Sequence, residues 1–366
     1  MKRPHSLLAA CSAVIFSASL PSPVWSALPS GEPLWAYGFV TPAAPGEEAT
    51  LPGPPTRTLR PQEDAAEQTR PRHIAGSTGS YTLQQIRNGN DVVDWFPGEH
   101  PSLSLVMKNG PARMGEKGYG CAFCHMPNGK GRPENAPVAG LPVAYTIRQM
   151  QDFQHGLRRS SDPRKANTLL MIALAQAMTD EEIRESAEYF AALPSTPWIR
   201  VLETERVPRT RTSTNMFLPI EAEFTELLGQ RIIEVPEEPE ETELLRNPHS
   251  GFIAYVPVGS VQRGEALVTT GGATTLNGQT VPGKSVACTT CHGPDLQGIA
   301  DVPGIAGRSP SYIARQLYDI QQGTRKSPLS QLMVPVVAHL TNDDFVAISA
   351  YVSSLPATKS PTGASH

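Results

Sequence analysis

The chain is poor in cysteine. Five occur in 366 residues, and Cys11 falls within an N-terminal stretch that has the marks of an export leader. The other four form two pairs, which leaves none over for a disulfide framework. Long apolar runs are missing too. The first, at 7–20, is cut short by Pro21 and Pro23, and no later run approaches the ~20 residues a spanning helix needs. There is no dense basic patch: Lys and Arg number 31 against 35 Asp and Glu, a formal charge of −4, so nothing points to nucleic acid. Proline is the one surplus. Its 36 residues are twice the usual share of about 5% and predict long irregular segments.

The opening Lys2 and Arg3, the short apolar run and the small residues near Ser26 predict a signal peptide over 1–26. Leu8-Ala9-Ala10-Cys11 resembles a lipoprotein cleavage box, but the apolar run continues past it, so no lipid anchor is expected at Cys11.

The paired cysteines are followed at once by histidine: Cys121-Ala122-Phe123-Cys124-His125 and Cys288-Thr289-Thr290-Cys291-His292. Cys-x-x-Cys-His is the attachment signature of c-type haem. Both sulfurs of one helical turn reach the two vinyl groups of a porphyrin, and the histidine meets the iron as proximal ligand. A zinc or redox pair needs no adjacent histidine, and here both copies have one. The expected cofactors are therefore two covalently bound haem c groups, held by Cys121, Cys124, Cys288 and Cys291.

The likeness between the copies extends further. Tyr145, Arg148, Gln149, Asp152, Gly156 and Arg158 recur as Tyr312, Arg315, Gln316, Asp319, Gly323 and Arg325, at the same offset of 167 as His125 and His292. Beyond them, Met171, Thr179 and Tyr189 recur as Met333, Thr341 and Tyr351 at an offset of 162. Each copy reads as a small all-α unit: a haem-motif helix, a second helix from Tyr145 or Tyr312 that stops at Gly156 or Gly323, and a third opened by a Thr179–Glu182 or Thr341–Asp344 cap and closed by Leu-Pro. Units of this size bury too little apolar surface alone, so folding is expected to be coupled to haem attachment.

A six-coordinate iron needs a distal ligand. Met171 and Met333 lie 46 and 41 residues after their histidines, and each stands 18 before the matching tyrosine. Their recurrence singles them out; Met150 and Met178 have no methionine counterpart and read as core, and Met126 is too close to His125 to reach the opposite haem face. His155 and His339 match Gln322 and Ala177, so neither recurs. The predicted iron ligands are His125 with Met171 and His292 with Met333, a set that raises the potential relative to two histidines and closes the iron to substrates. Pro303 is placed to offer a carbonyl to the second nitrogen of His292. In the first copy the corresponding Pro137 is displaced by one position. Tyr145, Gln149, Arg308, Tyr312 and Gln316 are candidate propionate or pocket contacts, or plain helix-surface polars.

These segments, with Gly304-Ile305-Ala306-Gly307-Arg308 and Leu340-Thr341-Asn342-Asp343-Asp344, resemble class I cytochromes c, and the tandem resembles di-haem cytochromes of the c4 and c553 type. The stretch from Asp94-Trp95-Phe96-Pro97 to His100-Pro101 is similar to exported bacterial relatives. The expected map is a proline-rich extension at 27–95, a first cytochrome c domain at 96–196, an acidic connection at 197–257, a second domain at 258–356 and a tail at 357–366. Within the extension, 27–79 is expected to have little regular structure and 81–107 more order, with Trp95 and Phe96 as packing residues. The connection, with six glutamates and no base over 234–243, is expected to be irregular, a solvated strap or a docking surface for a basic partner, with a short helix near 221–228. The resemblance implies electron shuttling in the periplasm between protein donors and acceptors, membrane-bound complexes among them, with no small-molecule substrate. The alternatives are a di-haem enzyme of peroxidase or thiosulfate-oxidising type, and a fixed cytochrome subunit of a larger complex.

Overall fold

The computed structural model describes residues 31–53, 64–220 and 225–357. The expected leader, Cys11 and all but the first residue of the expected tail lie outside the described residues. Among the described residues no helix is long and apolar enough to cross a membrane.

The first repeat has its motif helix at Cys121–His125, a linking helix at Val143–Gln154, a methionine-bearing helix at Ala166–Ala177 and a terminal helix at Asp180–Ala192. The second has a further helix at Ser260–Thr270, then the motif helix at Thr289–His292, a linking helix at Pro310–Gln321, a short turn at Ser330–Met333 running into Val334–Val337, and a terminal helix at Asn342–Ser354. Both linking helices end just before a glycine in the left-handed region, Gly156 and Gly323, where a side chain would be strained. Both terminal helices open with a complete capping box, Thr179 with Glu182 and Thr341 with Asp344. In the second repeat Ser260–Thr270 crosses the terminal helix at Gly264, where a Cβ would collide with the Ala347 carbonyl.

The connection corrects the expectation of an all-α fold with an irregular strap. Phe252–Val256 pairs in parallel with Ile199–Glu203 and antiparallel with Ile233–Pro236. A hairpin joins Thr210–Ser213 to Met216–Pro219 through Thr214 and Asn215, both at positive φ, the backbone that a tight two-residue hairpin turn requires. The helix expected near 221–228 is also corrected: residues 221–224 lie outside the described residues, and Thr225–Leu227 is a strand paired with Arg206–Pro208. The proline content stops helices without preventing edge pairing; Val207, Phe217, Ile233, Val235 and Val256 carry the buried side of these strands into the core.

The acidic run is not simply solvated. Glu234 is buried and accepts hydrogen bonds from Ser309 Oγ at 2.8 Å and the Ser311 amide at 3.0 Å, capping the second linking helix. Glu237 and Glu243 take ion pairs from Arg200 and Arg211.

Among its described residues the front has little regular structure, as expected, yet part of it packs into the body of the protein. Leu34–Tyr37 forms a turn of helix whose Trp35, Ala36 and Tyr37 are buried in the core of the second repeat. Tyr37 OH donates to Asp319 Oδ1 at 2.7 Å, and Arg315 donates to the Ala36 carbonyl. Trp95 and Phe96 are core residues, as expected; the Trp95 indole donates to the Leu245 carbonyl at 2.9 Å. From Glu32 onward the described chain belongs to one compact unit.

Candidate functional site

Each motif helix is a single turn, so its two cysteines and its histidine are held close together. His125 Nδ1 donates to the Ala136 carbonyl at 2.8 Å, and His292 Nδ1 donates to the Pro303 carbonyl at 2.8 Å. Each acceptor lies 11 residues beyond its histidine. Pro303 is the acceptor the sequence suggested; in the first copy the role falls to Ala136 rather than Pro137, because position in the loop and not the proline sets the carbonyl. Burial keeps both imidazoles below their ordinary pKa, so each is neutral with Nε2 left as a free base. Burial also pushes the Cys121 thiol up to about 12 and Cys288 up to about 11.

A cavity of about 500 Å³ adjoins the first motif. Cys121, Cys124 and His125 line it together with Met171, Phe153, Tyr145 and Gln149, and Tyr312 and Gln316 of the second repeat reach it as well. Met150 and Met178 are buried in the core of the first repeat and also reach the cavity wall. His155 and His339 are exposed. Met333 packs, half-buried, against the same core as Cys288.

Four of the polar candidates converge at the junction of the repeats. Arg158 donates to Gln316 Oε1 of the other repeat at 2.8 Å and to its own Gln149 Oε1 at 3.0 Å. Arg325 does the reverse: it donates to Gln149 Oε1 at 2.7 Å, to Tyr145 OH at 2.9 Å, and to its own Gln316 at 3.3 Å. The backbones of Arg158 and Arg325 form an antiparallel bridge between them. Flanking it, the Arg159 amide donates to the Thr324 carbonyl and the Lys326 amide to the Leu157 carbonyl, both at 2.8 Å. Equivalent segments therefore meet across a local twofold. The Tyr312 phenol is raised by burial, but Arg158, Arg325 and Arg308 outweigh this and hold it below its ordinary pKa. Arg308 stands apart from this group: its guanidinium is spent on the carbonyls of Gly304, Pro137 and Ala139.

Sequence reasoning marked Arg158 and Arg325 as repeat positions but gave them no role; their recurrence was the available signal. It missed Arg246, whose guanidinium lies 3.9 Å from the Phe123 ring and which donates to the Phe123 carbonyl. Nothing in the repeat pattern marks Arg246, because it belongs to the connection.

No family model matches the chain. Cytochrome c4 of Pseudomonas aeruginosa is 26% identical over 256 residues, 69% of this chain and 92% of that protein. Cytochrome c-554(548) of Halomonas halodenitrificans is 37% identical over 72 residues, 19% of this chain and 87% of that protein. This chain belongs to the di-haem class I cytochromes c. It is an electron-transfer cytochrome with two covalently bound haem c groups. A thiosulfate dehydrogenase electron acceptor of Stutzerimonas stutzeri is 33% identical over 96 residues, 26% of this chain and 39% of that protein.

The residues of the cytochrome fit that group. Two thiols and a neutral, oriented imidazole stand in one turn at each site. At the junction, Arg325 is buried with its Nε unpartnered, and the acceptors around both arginines are amide and phenol oxygens. A buried cation such as Arg325, held by neutral acceptors, calls for an anion, and a haem brings two carboxylates.

Proposed function

We propose that this cytochrome is a one-electron carrier of the periplasm, passing electrons between protein partners, with His125 and Met171 on one iron and His292 and Met333 on the other. The haem supplies the ferric/ferrous couple. The chain's part is to hold ligands still and set the potential. The carbonyls of Ala136 and Pro303 fix the two imidazole rings, which lowers the reorganisation that accompanies each electron. With haem bound, the thioethers of Met171 and Met333 would hold the iron opposite the imidazoles' side of the chain and would favour its reduced state. Arg158 and Arg325, with Tyr145, Gln149, Tyr312 and Gln316, receive the propionate edges and bring the two sites into one electrostatic environment.

The observation that carries this reading is the reciprocal crossing of Arg158 and Arg325, which joins two copies of the same donor set at their polar edges. The relative that accepts electrons from thiosulfate dehydrogenase supports a redox protein as donor. A redox titration followed spectroscopically tests the reading. Two low-spin haems with the weak sulfur-to-iron band in the ferric state are expected. High-spin ferric haem at either site, or enzyme-like turnover with peroxide or thiosulfate, would replace the carrier with a di-haem enzyme.

A further inference from the structure

Besides its packing residues, the stretch from Asp94 to Pro101 sets a histidine beside the first haem site. The His100 side chain is 3% exposed, and its Nε2 stands 3.2 Å from Asp94 Oδ1. Its Nδ1 stands 2.9 Å from the Pro101 carbonyl and 3.0 Å from the phenol oxygen of Tyr189. A carboxylate at one ring nitrogen and a carbonyl at the other both call for hydrogen, and only the imidazolium supplies two. Burial alone would lower the pKa of His100; Asp94 and the Pro101 carbonyl outweigh this and raise it. Glu99 adds to the same effect and pairs with His249 at 2.7 Å, while half-buried Lys130 faces Glu99 from the loop after the first motif.

Tyr189 joins His100 to the haem motif. Its OH donates to the Pro127 carbonyl at 2.7 Å, two residues beyond His125. Phe190 stands edge-on to both Tyr189 and His125, with ring centroids 5.4 and 5.8 Å away. Met126, between His125 and Pro127, is held at φ 64°, a backbone that persists only where its surroundings fix it. The second repeat has the same tyrosine without the front. Tyr351 is half-buried, its phenol makes no hydrogen bond among the described residues, and Val352 takes the place of Phe190.

We propose that the first site takes up a proton with its electron and that His100 holds this proton, as a positioning residue acting through Tyr189. The proposal rests on the carrier reading. The electron enters at the iron, the proton enters from water at His100, and no covalent bond of the haem is made or broken. Asp94, one-fifth exposed, is the contact with water. With His100 charged, Tyr189 donates to Pro127. With His100 neutral, its bare Nδ1 draws the phenol hydrogen away from the Pro127 carbonyl and loosens the segment that follows His125. A cation on this side favours ferrous iron, so the first midpoint falls as pH rises through the His100 titration. Tyr351 has no such partner, and the second midpoint stays level there.

Midpoints of the holo-protein are measured spectroscopically from pH 5 to 9, with the first haem identified by its shift in Met171→Ala, and the His100 proton is followed by NMR in both oxidation states. His100 is expected to bind its proton roughly two- to ten-fold more tightly in the reduced protein, the size of a unit charge acting through partly screened protein. His100→Gln should level the first midpoint. Tyr189→Phe keeps His100 and should at least halve the slope, and His249→Gln should leave it unchanged. A slope shared by both haems, or retained in His100→Gln, assigns the proton to the propionate edges and overturns the proposal. A slope lost only in His249→Gln assigns it to the Glu99 pair and overturns it as well. Equal proton affinity of His100 in the two oxidation states overturns it even where a variant does not fold. Haem count and low-spin spectra at one pH test the carrier reading separately: a carrier with level midpoints sinks this proposal alone.

Discussion

Met171 stands in the middle of a twelve-residue helix, Met333 at the end of a four-residue turn. Ahead of its motif the first repeat has the five-residue helix Leu105–Asn109 and a 3-10 helix at Ala112–Lys117; the second has the eleven-residue Ser260–Thr270 locked against its terminal helix through Gly264. The first repeat draws the missing closure from outside itself, from Arg246 over Phe123, from Asn128 donating to the Pro248 carbonyl, and from the residues around Gly53. The second also takes outside chain into its core, Trp35–Tyr37 and the strands of the connection, but is left bare at its methionine edge. The local haem-binding frame is therefore an invariant of one helical turn and one carbonyl, while the shell around it is assembled from whatever chain is nearby.

The comparison can be broken most strongly at the two methionines proposed as distal ligands. Met171→Ala and Met333→Ala should each remove the sulfur-to-iron band of one haem and lower that haem's midpoint by a sizeable part of the roughly 0.8 V over which axial ligands act, leaving the other haem in place; a single titration that loses both bands would show that the two sites do not ligate independently. The junction comes next. Arg325→Leu leaves Tyr145 without its donor and Gln149 with Arg158 alone, and should cost about 1–3 kcal/mol in denaturant melts, with both midpoints moving down as a cation near two anionic edges is lost. Arg148→Leu, which removes an exposed ion pair with Asp301, should cost under about 1 kcal/mol.

Gly264→Ala tests the closure that only the second repeat has. Overpacking at that crossing should cost about 1–3 kcal/mol and show as weakened protection from hydrogen exchange in Ser260–Thr270 and Asn342–Ser354, with the first repeat unaffected. The smallest expected effect is on pH. Asp344 is desolvated, which alone would raise it, but Lys284, the Thr341 cap and Arg263 hold its carboxyl down at about 2. A depressed carboxylate stabilises the fold above its unfolded pKa of about 3.9, and that contribution fades as pH falls toward about 2. Asp344→Asn should flatten the stability profile in this window, measured by denaturant midpoints between pH 5 and 2; an unchanged slope would mean that other carboxylates carry the acid transition.

The two covalent haem groups, the helix boundaries at Gly156 and Gly323 and the caps at Thr179 and Thr341 were legible in the chain, because each depends on residues a few positions apart or on the repeat itself. Even the Pro303 carbonyl was within reach, since it lies in the same loop as its histidine. The β-structure of the connection was not, because Ile199–Glu203 and Phe252–Val256 pair across some fifty residues of proline-broken chain that carries no strand period strong enough to stand alone. Nor was the fate of Tyr37, Glu234 or Arg246, whose partners Asp319, Ser311 and Phe123 lie 282, 77 and 123 positions away. Local covalent chemistry and helix capping act over one turn and can be read in order along the chain; which face of each haem site meets protein and which meets solvent is a question of long-range packing, and only the folded molecule answers it.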